Sequence, residues 1–117
     1  MTLREIARRL ELETLTPELG DGGDIEMERG YVSDLLSDVL ANGPRGGVLV
    51  TAQLHLNVVA VAVHAEMRAV IFAQGRTPEE NVRRKAAAEG IQLYGCAKSA
   101  FEIVGRLHSL GVRGPDA

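Results

Sequence analysis

The chain has 117 residues, 45 % of them apolar and 3 % aromatic, with no tryptophan and a net charge of −3. That size fits one domain, read here as residues 1–117, and the apolar content excludes a disordered chain. The acidic balance and the few aromatics (Tyr31, Phe72, Tyr94 and Phe101) exclude nucleic-acid binding, which needs cations against phosphate or a stacking platform.

Thr2 and Glu5 have the spacing of a capping box, and Leu3, Ile6 and Leu10 share one face of the helix it starts. Residues 11–16 read as a short strand stopped by Pro17. A glycine turn at 20–23 leads to a second short strand, 25–28. Gly30-Tyr31-Val32-Ser33 then feeds a compact helix over 34–40, with Leu35, Leu36, Val39 and Leu40 as its buried face. The run Asn42-Gly43-Pro44-Arg45-Gly46-Gly47 breaks the pattern.

The second half is more regular. Three uninterrupted apolar runs, 48–52, 69–73 and 91–94, have strand length and predict burial on both faces, as in a parallel sheet covered by helices. Residues 54–64 alternate like a strand at Val59, Val61 and Val63. A crossover between parallel strands needs a helix there, and the helix is preferred. After 69–73, Thr77, Pro78 and Glu80 predict a capped helix that Gly90 stops. After 91–94, Ser99 and Glu102 predict another, with Phe101, Val104, Leu107 and Leu110 at helical spacing. Strand, loop and helix in succession give an α/β fold: a single compact domain with a mainly parallel sheet flanked by helices.

The chemistry the residues offer is sparse. Gly95-Cys96-Ala97-Lys98-Ser99 lacks both glycines of a phosphate loop and reads as a strand-to-helix turn. His55, His64 and His108 have no metal-ligand spacing, so no metal and no cofactor is expected. The single cysteine, Cys96, forms no intrachain disulfide and has no evident base nearby. Arg83, Arg84 and Lys85 point in three directions on a helix and read as a solvated face. The N-terminus lacks a signal-peptide pattern and no apolar run approaches a membrane span of about 18 residues, so a cytoplasmic, membrane-free protein is expected.

Two polar groupings stand out. Ser33-Asp34 and Ser37-Asp38 repeat at a four-residue spacing, more than one cap requires. Thr51 and Gln53, Arg76, and Lys98 and Ser99 follow three successive strands. If those strands are parallel, the side chains share the carboxyl rim where open α/β sheets collect ligands. The expected ligand site is therefore Ser33, Asp34, Thr51, Gln53, Arg76, Lys98 and Ser99, with no catalytic residue.

The run Gly30-Tyr31-Val32-Ser33-Asp34-Leu35-Leu36-Ser37-Asp38-Val39 resembles the DRTGG domain family. The likeness continues through Thr51-Ala52-Gln53-Leu54-His55-Leu56-Asn57-Val58-Val59-Ala60-Val61-Ala62, Ala69-Val70-Ile71-Phe72, Gly75-Arg76-Thr77-Pro78-Glu79 and Ser99-Ala100-Phe101-Glu102. Arg29-Gly30 stands where the family carries a glycine pair. The resemblance implies a fold similar to the non-catalytic N-terminal domain of HPr kinase/phosphorylase. It implies a regulatory or ligand-binding domain sensing a nucleotide or other small anion, not an enzyme, and a homo-oligomer, a dimer first. The alternative it implies is an adaptor for a partner enzyme of a redox or hydrogenase-type system.

Overall fold

The computed structural model describes all 117 residues, Met1–Ala117. Five strands, β1 (Glu13–Thr14), β2 (Gly30–Val32), β3 (Val48–Thr51), β4 (Ala69–Phe72) and β5 (Gln92–Gly95), form one sheet. Its order is β1-β5-β4-β3-β2. β2 to β5 are parallel and β1 is antiparallel to β5. The helices are α1 (Leu3–Arg9), α2 (Leu36–Asn42), α3 (Asn57–His64), α4 (Glu80–Glu89) and α5 (Ala100–Ser109). The expected α/β architecture is present.

Connection handedness explains the layers. From β2 to β5 the chain steps across the sheet in one direction, so right-handed crossovers place α2, α3 and α4 on one face. After β5 it doubles back, and α5 crosses the opposite face. Arg113 then pairs in parallel with Arg29 at the foot of β2. α1 joins α5 on that side.

The strands divide their side chains accordingly. Val48, Val50, Ala69, Ile71 and Tyr94 meet α1 and α5 in a core of 14 buried residues. Leu49, Val70, Phe72 and Leu93 meet α2, α3 and α4 in a second core of 13. All four residues of β3 and of β4 are buried, which is why those runs carry no polar alternation.

Several local expectations are corrected. Residues 25–28 alternate in burial but lie outside the sheet. Leu3 N–H donates to Ile25 O at 2.8 Å and Met27 N–H to Met1 O at 3.0 Å, so the segment pairs with the chain start. The strand is Gly30–Val32 instead, the stretch expected to lead into a helix. α2 begins two residues later than predicted, because Ser33 Oγ accepts Leu35 N–H at 3.1 Å and Asp34 is held by β3. Of its expected apolar face only Val39 is buried, while Leu35 and Leu40 are exposed.

The region 54–64 contains the preferred helix, α3. α4 begins at Glu80 with Glu79 at its cap position and no capping side chain, so Thr77 does not cap it. Gly90 closes it in the left-handed region, φ 75°. Ser99 caps α5 by accepting Glu102 N–H at 3.3 Å, but the reciprocal half of the box is absent because Glu102 pairs with Arg106. α5 buries Ile103 and Leu107 and leaves Phe101 89 % exposed, so its core face is rotated from the predicted stripe.

Candidate ligand site at the carboxyl edge of the parallel strands

Four loops, residues 33–35, 52–56, 73–79 and 96–99, leave the carboxyl ends of four parallel strands on one edge of the sheet. They carry six of the seven expected site residues, the seventh, Thr51, being the last residue of β3, and the structure sorts the seven into two groups.

Ser33, Asp34, Thr51 and Gln53 belong to one connected structure. Asp34 Oδ1 accepts from Thr51 Oγ1 at 2.9 Å and from Ala52 N–H at 2.7 Å. Thr51 Oγ1 accepts Gln53 N–H at 3.0 Å, Gln53 Oε1 accepts His55 N–H at 3.2 Å, and His55 Nδ1 accepts Asn57 N–H at 3.0 Å. Three successive side chains thus each take the backbone N–H two residues ahead. The ladder ends where α3 begins and supplies the cap that Leu56, at the cap position, cannot provide. Beside it, Asp38 Oδ1 accepts from Tyr31 O–H at 2.6 Å and from Asn42 Nδ2 at 2.8 Å. The Tyr31 bond first, and the Asn42 bond second, hold the Asp38 carboxyl below the usual range, and the bond to Asp38 pushes the Tyr31 phenol up.

Arg76, Lys98 and Ser99 form the second group, across β4 and β5. The helix after β4 goes to one face and the helix after β5 to the other, so a topological switch point lies between these two strands. Ligand crevices of open α/β sheets form at such points. Here the crevice is stitched shut. Gln74 N–H donates to Lys98 O and Gly75 N–H to Cys96 O, both at 2.8 Å. Gln74 and Gly75 both take positive φ, 65° and 68°, to fold the loop onto its neighbour. The Ser99 hydroxyl is spent on its cap.

Open space lies one strand over. A cleft of about 520 Å³ separates the loop after β3 from the loop after β4. Gln53, Leu54, His55 and Leu56 form one wall; Thr77, Glu79, Asn81 and Val82 form the other. The second wall includes the first turn of α4, whose N-terminus no side chain caps. Of the seven expected residues only Gln53 lines this cleft. His55, Thr77 and Asn81 were not among them. The missed signal was the polar spacing 51, 53, 55, 57, which overlaps the strand-like alternation of the same region.

A second cavity, about 270 Å³, lies between α5 and the outer edge of β2, lined by Val32, Val104, Leu107, His108 and Arg113 among others. Half of its lining residues are hydrophobic, Asp116 also borders it, and it receives none of the expected site residues. Elsewhere the chemistry is quiet. Cys96 is buried, with Sγ 4.0 Å from Leu10 O and no base beside it. No group of three His, Cys, Asp or Glu side chains is placed to hold a metal ion. Arg83 is neutralised by Glu80 and Glu18, and Lys85 pairs with Glu89. No helix is long and apolar enough to cross a membrane.

No family model and no curated protein matches the chain. A solved structure does: the CBS and DRTGG domains of the regulatory region of a Clostridium perfringens pyrophosphatase, complexed with the activator diadenosine tetraphosphate. The two superpose with a TM-score of 0.71 over 95 % of this chain, at 15 % identity. The fold is DRTGG-like. The chain spans about half, 47 %, of the length of that one. Within the DRTGG-like frame, the run 30–39 is β2, its loop and α2, and the run 51–62 is the hydrogen-bonded ladder and α3. Of the stretches that carry the sequence resemblance, 51–62 and 75–79 contribute residues to the cleft and 30–39 contributes none.

Proposed function

We propose that the chain is a non-catalytic regulatory domain that takes a small ligand, a nucleotide or other small anion, in the cleft between the β3 and β4 loops. The observation that carries this reading is the cleft itself. It is polar on both walls, lies at the carboxyl edge of parallel strands, and is flanked by an uncapped helix N-terminus. Arg76 and Lys98, on the adjoining loops, supply positive charge near that edge. The likeness to a regulatory region solved with a nucleotide activator supports the same class of ligand.

The state of the nucleophile candidates supports a binding role over a catalytic one. Cys96 is buried. Ser33 Oγ is committed to Leu35 N–H, and His55 Nδ1 to Asn57 N–H, so neither hydroxyl nor thiol has a free base.

Thermal unfolding with AMP, ATP and inorganic phosphate tests the reading. A ligand at a hundred times its Kd adds about 2.7 kcal/mol, which for a domain of this size raises Tm by roughly 10 °C. Gln53→Ala should abolish the rise. No shift with any of the three at millimolar concentration counts against the proposal.

The dimer expected from the sequence is retained as a proposal. Val32, Leu35, Leu40 and Phe101 expose apolar surface that no element of the chain covers. Sedimentation of the wild type and of Phe101→Ser tests it, with a monomeric wild type as the contrary result.

A further inference from the structure

The ladder at residues 51–57 fixes more than backbone. A backbone N–H donates to His55 Nδ1 at 3.0 Å, so the neutral imidazole must carry its proton on Nε2. Gln53 Oε1 likewise accepts His55 N–H, which leaves its amide NH₂ as the free end. Thr51 spends its own proton on Asp34. The ends left over along this wall of the cleft are therefore N–H donors.

From this geometry we infer that the β3-loop wall selects hydrogen-bond acceptors on the ligand, and that His55 is a proton-operated latch on that wall. The inference rests on reading the cleft as the binding site. A second proton on the imidazole would occupy Nδ1, turning the acceptor of Asn57 N–H into a donor. The cap on α3 is then lost, and the loop bearing Gln53, Leu54 and Leu56 loses its anchor. Glu79 lines the opposite wall of the cleft on the α4 side, and Asp34 bonds to Thr51 at the far end of the ladder. α3 brings no acid in its first turn.

The test uses the full chain labelled with ¹⁵N. At pH 8 the imidazole spectrum should place the His55 proton on Nε2. The exchange protection of the Asn57 amide should fall roughly fivefold or more as the pH is lowered to 5.5, the usual worth of one cap. In His55→Asn the side-chain oxygen can take the same N–H and does not titrate, so protection should hold across that range. A proton on Nδ1 at pH 8, or Asn57 protection unchanged through the wild-type titration, overturns the proposal.

Inorganic phosphate and adenosine, titrated separately, read the ligand side against His55→Asn as the reference. Binding weakened at pH 5.5 in the wild type alone places a phosphoryl group on the wall if the probe is phosphate, and a base if it is adenosine. Binding of either with the same pH dependence in both proteins overturns the coupling. If the tautomer and Asn57 behave as stated and neither probe binds, the latch stands and the ligand reading of the cleft fails.

Discussion

Tyr94 and Gly22 make the sharpest single-residue test of the packing. The Tyr94 hydroxyl is buried without a partner, and burial pushes its phenol up to about 12. Gly22 sits above it with φ 89°, where an added Cβ would lie 2.8 Å from that hydroxyl and 2.9 Å from Leu3 Cγ. Gly22→Ala should therefore cost about 2–3 kcal/mol in urea unfolding, from overpacking and left-handed strain together. Tyr94→Phe removes an unsatisfied polar group and should be neutral, or stabilising by up to about 1 kcal/mol. A destabilisation beyond about 1 kcal/mol would show that the hydroxyl has a partner. At this scale the sequence marked residues 20–23 as a turn but gave no sign of what lay beneath. The partner is 72 positions away in the chain, and no local pattern links Gly22 to Tyr94.

Among the elements, capping and periodicity were legible where the chain is locally consistent. The Thr2–Glu5 box, the Ser99 cap and the Gly90 stop all appear where their residue types put them. The failures come from side chains recruited by distant backbone. In the sequence Asp34 reads as the first residue of the helix 34–40. In the fold it bridges from the end of β2 to the end of β3, and α2 starts later as a result. Asp34→Ala should thus cost about 1–2 kcal/mol through the lost charge-assisted bonds. It should also loosen both loops, seen as faster amide exchange at Ala52 and Gln53. Asp34→Asn, which retains an acceptor oxygen, should cost less. Equal stability of Asp34→Ala and wild type would remove the link between the two loops. Phe101 misled for the opposite reason. Its spacing fits an apolar stripe, yet α5 turns Ile103 and Leu107 to the core instead.

Across the whole molecule, three buried runs joined by helix-length connections were enough to read a parallel sheet and a shared rim of loops. The strand order and the direction in which the chain doubles back were not readable, because they depend on pairings between distant segments. They decide which gap opens. The switch point between β4 and β5 is closed by backbone bonds, and the cleft lies beside it, so Arg76, Lys98 and Ser99 flank the cleft without lining it.

The surface charges set the acid limit of the fold. Asp38 is held low chiefly by Tyr31, Glu5 by Thr2 and Asp21 by the Gly23 N–H. Each carboxyl is lower in the folded chain than in the unfolded one. Its contribution is complete above the ordinary carboxylate range of about 4 and is lost as pH falls through the depressed folded value. The urea midpoint should accordingly be flat from about pH 8 to 7 and decline below about pH 4. A midpoint that rises on acidification would contradict these assignments.

Backbone amide shifts recorded while AMP is titrated into the ¹⁵N-labelled chain locate the ligand directly. Perturbations should concentrate at residues 53–57 and 77–82, the two walls of the cleft. Perturbations centred instead on Val32, Val104 and Arg113, beside the other cavity, or none at millimolar AMP, would contradict that placement.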